Sequence, residues 1–403
     1  MGDYSYPESR EHAASHAKAS TLVSGVDLTL LGLYVAAFLV SLDRAVFAPL
    51  IPALSQDFHE TVGAVGLAVS AYTLPYGLFQ LGYGPLGDRT GKLTVIRWTF
   101  LVFAFGTGLC GLAITLPMLD LLRAVTGACA AAIIPLALAH IGDVVPYEQR
   151  QQTITNLMGA TSCGNALSAA VGGAIGEFLS WRALFGLYGI CALLIAVALF
   201  RTSASRPIPT AATTPRADRQ YGELLRLRKA QLLFLIVGLE GVFVYGGFTY
   251  LGAYLSDRFA LDYLTIGLIL ACYGTGTVLT SRFVRYVLRR LGEANLILLG
   301  GLLLASGFLV LLPVGSWQFY VAPMLWMGAG FALFHSTLQT RATELVPSLR
   351  GTSVAMFAFS LFLGGGIGTA MFGWLITAYG YAPLLVASGG GMLCVTEVAR
   401  RVW

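Results

Sequence analysis

Apolar residues gather into long runs near positions 28–52, 62–84, 93–115, 117–142, 153–178, 183–200, 231–256, 263–285, 294–314, 317–341, 351–378 and 381–399. A run of about 20 residues, rising about 1.5 Å per residue, crosses the roughly 30 Å of a bilayer's hydrocarbon. The pattern predicts twelve transmembrane helices. A membrane β-barrel is excluded, because its strands read as segments of roughly ten residues with alternating polarity. Glycine and proline recur inside the runs, as buried membrane helices tolerate when neighbours re-satisfy the backbone.

The polar stretches between runs are short, with one exception. Residues 201–230 are rich in Pro, Thr, Ser and Ala and read as a linker, with an amphipathic helix expected over 221–230. The domains expected are a polar tail over 1–26, a six-helix bundle over 27–200, the linker over 201–230 and a second six-helix bundle over 231–403. The halves share features at a shift of about 200 residues. Gly66 and Tyr72 answer Gly267 and Tyr273, Arg89 and Gly91 answer Arg290 and Gly292, and Pro146 answers Pro347. Gly164 and Gly173 likewise answer Gly364 and Gly373. Two parallel six-span halves, related by an axis along the membrane normal, are a transporter architecture.

Composition agrees with a lipid environment. Hydrophobic residues make up 56% of the 403 and charged residues only 11%, whereas a soluble domain carries about a quarter. The tail over 1–26 lacks the basic start and apolar core of a signal peptide and is expected to be cytosolic. Of the 25 Lys and Arg, all but Arg44, Arg123, Arg182 and Arg258 fall in the tails or the even-numbered connections. The positive-inside rule then places both termini in the cytosol. The net charge of +5 follows from that topology, so lipids and a small-molecule substrate are the expected partners and nucleic acid is not. A monomer in the cell membrane is expected. The six cysteines lie inside apolar runs without metal-ligand spacing and read as small packing residues. No metal or cofactor is expected, and no nucleophile–base pair or Walker loop suggests an enzyme.

Between the second and third runs stands GPLGDRTGK, residues 84–92. Glycines there permit a tight turn between two helices, and Asp88 can meet the positive N-terminus of another helix. The stretch resembles the signature loop of the major facilitator superfamily, matching at Gly84, Leu86, Asp88, Arg89, Gly91 and Lys92. The resemblance extends to the twelve runs, the central linker and a degenerate second copy, YVLRRLG, over 286–292. It implies an all-α fold of two pseudo-symmetric six-helix bundles and a gating role for the loop. Asp88 would then latch onto span eleven near Gly351 when the transporter opens outward. The plainer alternative is a loop that only sets topology.

Ionisable groups within a membrane cost roughly 2.5–3.5 kcal/mol each on insertion scales and mark functional sites by default. Asp43, Arg44, Arg123, Glu240 and His335 qualify. Helical rise puts Asp43 about 14 Å and Arg123 about 9 Å below the same outer face, so an arginine's length can join them. The family's span-one Asp and span-four Arg, the latter with Gly127 four residues on, resemble these positions, and in proton-coupled relatives they carry coupling. Low dielectric favours a neutral acid and a nearby guanidinium favours the anion, so relative movement could load and unload a proton. A static buried pair is the alternative. Arg44 could compete for Asp43 or bind an anionic substrate. Glu240, with no basic partner evident in the sequence, reads as a second coupling site or an acid bonded to a neighbouring hydroxyl. His335 and Gln339 read as packing or capping. Tyr34, Phe38, Phe47, Tyr245, Phe248 and Tyr250 are candidates to line an apolar cavity between the halves.

Span five resembles in part the glycine-rich motif of drug:proton antiporters. Gly164, Gly172 and Gly173 fit, while Ser168-Ala169 stand where the motif has Gly-Pro. Small residues there allow close packing, expected against span eight. The expected function is export of small amphipathic drugs or metabolites in exchange for protons by alternating access. The alternative is coupled uptake of small organic anions.

Overall fold

The computed structural model describes residues 28–202, 217–313 and 315–402. The tail over 1–26 and residues 203–216 of the linker lie outside the described residues. Among the described residues twelve long helices run antiparallel in sequence. The first six are α1 (Leu28–Ala45), α2 (Val62–Thr90), α3 (Lys92–Cys110), α4 (Leu116–Val144), α5 (Tyr147–Phe178) and α6 (Trp181–Arg201). The second six are α7 (Arg228–Phe259), α8 (Tyr263–Ser281), α9 (Glu293–Val310), α10 (Trp317–Glu344), α11 (Arg350–Tyr379) and α12 (Tyr381–Val402). Among the described residues eleven helices are long and apolar enough to span a membrane. The exception is α5, expected as a span over 153–178. It is a full helix of 32 residues, but its surface is Gly, Ala, Ser, Thr and Asn because it packs between helices and faces the centre.

The turns repeat from one half to the other. The segment after α1, Ile51–Phe58, ends at His59 with φ 55°, and α7 ends at Ala260 with φ 51°. The following helices are capped by Thr61, whose hydroxyl accepts from Ala64 N at 3.1 Å, and by Asp262, which accepts from Thr265 N at 2.8 Å. The Thr265 backbone N–H, then its hydroxyl, hold the Asp262 carboxyl below the usual range. At the basic ends, α2 and α3 meet at Gly91 (φ 93°), and α9 begins after Gly292 (φ 74°). Both conformations are open to glycine and resisted by other residues. This is the structural form of the shift of about 200 residues in the sequence.

The two halves meet along two glycine-lined seams. On α2 and α11, Gly63 stands against the Gly373 carbonyl, and the Ser70 hydroxyl donates to Gly366 O at 2.8 Å. On α5 and α8, Gly173 stands against the Tyr263 carbonyl and Gly274 against Ala166. The contact is tightest at the face opposite the GPLGDRTGK loop, here called the far face. There Gly252 rests on the Ala48 carbonyl, and Tyr263 N donates to the Glu177 carboxylate at 2.9 Å. Toward the basic face Gly84, Gly159 and Gly351 look into open space. A short linker helix, Ala217–Leu225, bridges the two halves at that end. Its Tyr221 hydroxyl donates to Leu81 O on α2 at 3.1 Å, and its Gln220 accepts from Thr352 on α11 at 2.9 Å.

The glycines of α5 divide their work differently from expectation. Gly173 does face α8, but Gly164 and Gly172 face α1, against Phe38 and Val46. Ser168, where the motif has glycine, ties α5 to α1 by donating to the Leu42 carbonyl at 2.8 Å.

Candidate functional site

The α1 helix stops at Ala45 because Pro49 and Pro52 lie ahead, and a 3-10 turn over Ala48–Leu50 redirects the chain. This break presents Asp43 and Arg44 to different surroundings. Asp43 turns into the N-terminal half, where Arg123 Nη1 donates to both carboxylate oxygens at 2.9 and 3.0 Å. Asp43 is 0% and Arg123 1% exposed. The guanidinium lies over the Tyr72 ring at 4.2 Å, with Phe47 at 5.1 Å. Charge-assisted hydrogen bonds inside this aromatic box hold two charges where neither could stand alone. Three polar atoms around it have no partner, Arg123 Nε, Tyr72 Oη and Ser41 Oγ.

Glu240 is corrected by the structure. It does have a basic partner: His335 Nδ1 lies 3.2 Å from both of its carboxylate oxygens. Glu240 is 0% exposed and His335 15%. The imidazole stacks on Phe331 at 4.6 Å and tilts against Phe357 at 5.1 Å. Immediately after Glu240 the backbone forms a π-helical segment over Gly241–Gly246, a feature common at functional sites. Its glycines nest on the α11 backbone at Leu361 and Gly368.

Between the halves lies a cavity of about 310 Å³. Its walls include Arg44, Phe47, Tyr245 and Phe248, as expected, together with Tyr273, Phe331 and Phe362, which the sequence did not single out. Arg44 Nη2 donates to Asn165 Oδ1 on α5 at 2.9 Å, and its guanidinium lies 5.0 Å from the Phe362 ring. Three expected wall residues are elsewhere. Tyr250 is fully buried at the α2–α11 seam, beside Gly66 and Gly373, and donates to Thr369 O at 2.7 Å. Tyr34 and Phe38 pack into the N-terminal core nearer the basic end of α1.

At the basic face, Asp88 lies 3.6 Å from Lys92, which also pairs with Asp143 at the end of α4 at 2.6 Å. The expected contact of Asp88 with α11 near Gly351 is not made in this arrangement, because the halves stand apart there. Arg89 has no acidic partner among the described residues. The C-terminal half builds the same corner with the signs exchanged, Glu293 pairing with Arg341. Among the described residues no cluster of His, Cys, Asp and Glu is arranged to hold a metal.

The sequence model of the Major Facilitator Superfamily matches residues 33–369. The chain is similar to the uncharacterized MFS-type transporter YceJ of Bacillus subtilis (strain 168), 29% identical over 346 residues, covering 84% of this chain and 86% of the relative. It is also similar to a chloramphenicol resistance protein of Pseudomonas aeruginosa, 24% identical over 381 residues, covering 89% and 88%. Among solved structures, the nucleoside transporter NupG matches with a TM-score of 0.77 at 12% identity, covering 93% of this chain and 98% of that one. That last likeness is one of fold.

Proposed function

Because the chain belongs to the major facilitator superfamily, whose members are membrane transporters, we propose that it exports small amphipathic compounds in exchange for protons. The observation that supports this most is the sealed Asp43–Arg123 pair on α1 and α4, one residue away from a cavity-wall arginine. A carboxylate so enclosed keeps its charge only while the guanidinium stays in place. Gly252 of α7 rests on Ala48, five residues beyond Asp43 along the chain, which puts the acid close to that far-face contact.

In this reading the bundles formed by α1–α6 and α7–α12 rock about the α2–α11 and α5–α8 seams. The basic face is cytosolic, by its Lys and Arg, and the chain sits in the cell membrane. Substrate enters the cavity from the cytosol. Opening of the far face releases it outside, hydrates Asp43 and lets a proton bind there, loosening Arg123. Return to the present arrangement restores the bidentate pair and delivers the proton inside. Asp88 latches to α11 when the cytosolic face closes. The name of the Pseudomonas aeruginosa relative, a chloramphenicol resistance protein, favours export. Uptake of small organic anions is the second reading, favoured by Arg44 on the cavity wall.

Everted membrane vesicles carrying the protein test direction. With an acid interior, they are expected to accumulate chloramphenicol or a small aromatic acid, and an uncoupler should discharge them. Accumulation only in right-side-out vesicles would establish uptake instead.

A further inference from the structure

The cavity's charge is unbalanced, and its polar groups stand at two ends of an aromatic path. Among its wall residues Arg44 alone is charged. Arg123 is matched by Asp43 and Glu240 by His335, and buried Arg97, away from the cavity, donates to the Leu199 and Thr202 carbonyls. No carboxylate lies within salt-bridge range of Arg44 among the described residues. Its one side-chain hydrogen-bond partner among the described residues is neutral Asn165, whose carbonyl oxygen accepts at 2.9 Å. That leaves the Asn165 amide nitrogen and the remaining guanidinium N–H groups as donors on one wall with no acceptor among the described residues.

From there aromatic rings lead across the cavity. The Arg44 guanidinium lies 5.0 Å from Phe362, whose ring is 6.4 Å from Tyr245. Phe331 lies 5.9 Å from both Tyr245 and Tyr273. At the end of this path the Tyr273 hydroxyl is buried and has no hydrogen-bond partner. A buried hydroxyl left unpaired is costly, so a ligand oxygen or nitrogen placed there would recover the loss. A site suited to cations would present an acid, and this wall presents none.

We propose that the cavity selects aromatic monoanions. A carboxylate would sit on Arg44 and Asn165, the ring would lie among Phe362, Tyr245 and Phe331, and a polar substituent would meet Tyr273. The cavity of about 310 Å³ is at the small end of the range for small-molecule sites, roughly 300–1,000 Å³, which suits one- or two-ring compounds. The proposal rests on reading this cavity as the transport site, and is independent of direction.

Calorimetric binding to the full chain in nanodiscs tests it with three probes of one shape: 4-hydroxybenzoate, 4-hydroxybenzamide and (4-hydroxybenzyl)trimethylammonium. The carboxylate is expected to bind roughly ten- to a hundredfold tighter than the amide, as charge-assisted hydrogen bonds imply. Arg44→Gln should erase that difference. Asn165→Asp, which sets a carboxylate beside Arg44, should weaken the benzoate and strengthen the ammonium. Tyr273→Phe should weaken benzoate and amide alike by about fivefold, the size of a neutral hydrogen bond. Equal binding of acid and amide to the wild type, preference for the ammonium, no benzoate binding at millimolar concentration, or a preference that survives Arg44→Gln would overturn the proposal. Benzoate binding through Arg44 without proton-driven export would sink the exporter reading and leave this one. Export of the amide or ammonium with exclusion of the acid would do the reverse.

Discussion

In the N-terminal half a carboxylate on α1 meets an arginine on α4; in the C-terminal half a carboxylate on α7 meets a histidine on α10. The helices correspond, first and fourth of each bundle, but the chemistry does not. Arg123 is permanently charged, fully enclosed and boxed by rings, whereas His335 is part-exposed and meets its acid through a single ring nitrogen. Depth differs as well. Counted from the contact of Gly252 with Ala48, Glu240 lies twelve residues back along its chain segment and Asp43 only five, so Glu240 sits farther toward the basic face. One framework therefore carries a locked pair near the closed face and a looser pair near the open one. The basic-face corners show the same independence of frame and charge, since Lys92–Asp143 and Glu293–Arg341 keep the position and reverse the sign.

The comparison breaks most visibly at Arg123. Arg123→Ala leaves the Asp43 carboxylate buried without a counter-charge, and losses of about 3–5 kcal/mol are usual for such a change. Thermal unfolding in detergent should fall steeply. The Asp43→Asn/Arg123→Gln double variant should recover most of that stability while remaining uncoupled; recovered coupling would show the pair to be structural only. Next in size, Gly173→Leu drives a side chain into the Tyr263 carbonyl at the α5–α8 seam. It should prise open the far face, raising labelling of a cysteine introduced at Ala48 and cutting transport at least tenfold by the usual cost of overpacking. Unchanged labelling would mean the seam yields without opening.

Smaller effects sharpen the contrast from the C-terminal side. Glu240→Gln keeps a hydrogen bond to His335 and leaves no unpaired carboxylate, so unfolding should shift by about 1 kcal/mol or less. What should change is the transport rate, because the variant removes the carboxylate charge that faces His335. A rate identical to wild type would assign the pair to packing. The smallest effect is expected at Lys92→Gln, since exposed ion pairs contribute about 0–1 kcal/mol. A drop several times larger would make that corner a structural anchor.

Much of this was legible in the sequence. Apolar run length gave the helices, and depth counted from Pro52 and Pro117 was enough to pair Asp43 with Arg123, because both lie about two turns below one face. Glu240 and His335 escaped for a physical reason: two helices far apart in sequence meet only if their rotations are known, and the π segment over Gly241–Gly246 alters the rotation after Glu240. Tyr250 was misplaced for a related cause. It follows Tyr245 by five residues, about 140° around an ideal helix, and so faces the seam while Tyr245 faces the cavity. Helix α5 was delimited too late, from 153 in place of Tyr147, because its first turns are polar.

Hydrogen-ion movement measured against substrate movement at Asp43 decides the matter most directly. In proteoliposomes clamped at zero membrane potential, with a pH dye inside, outward substrate flow through the wild type should bring counter-movement of protons in fixed proportion. Asp43→Asn should bind substrate and exchange it between the two sides with no proton signal. Full proton counter-flow in Asp43→Asn, at wild-type substrate rates, would contradict the account.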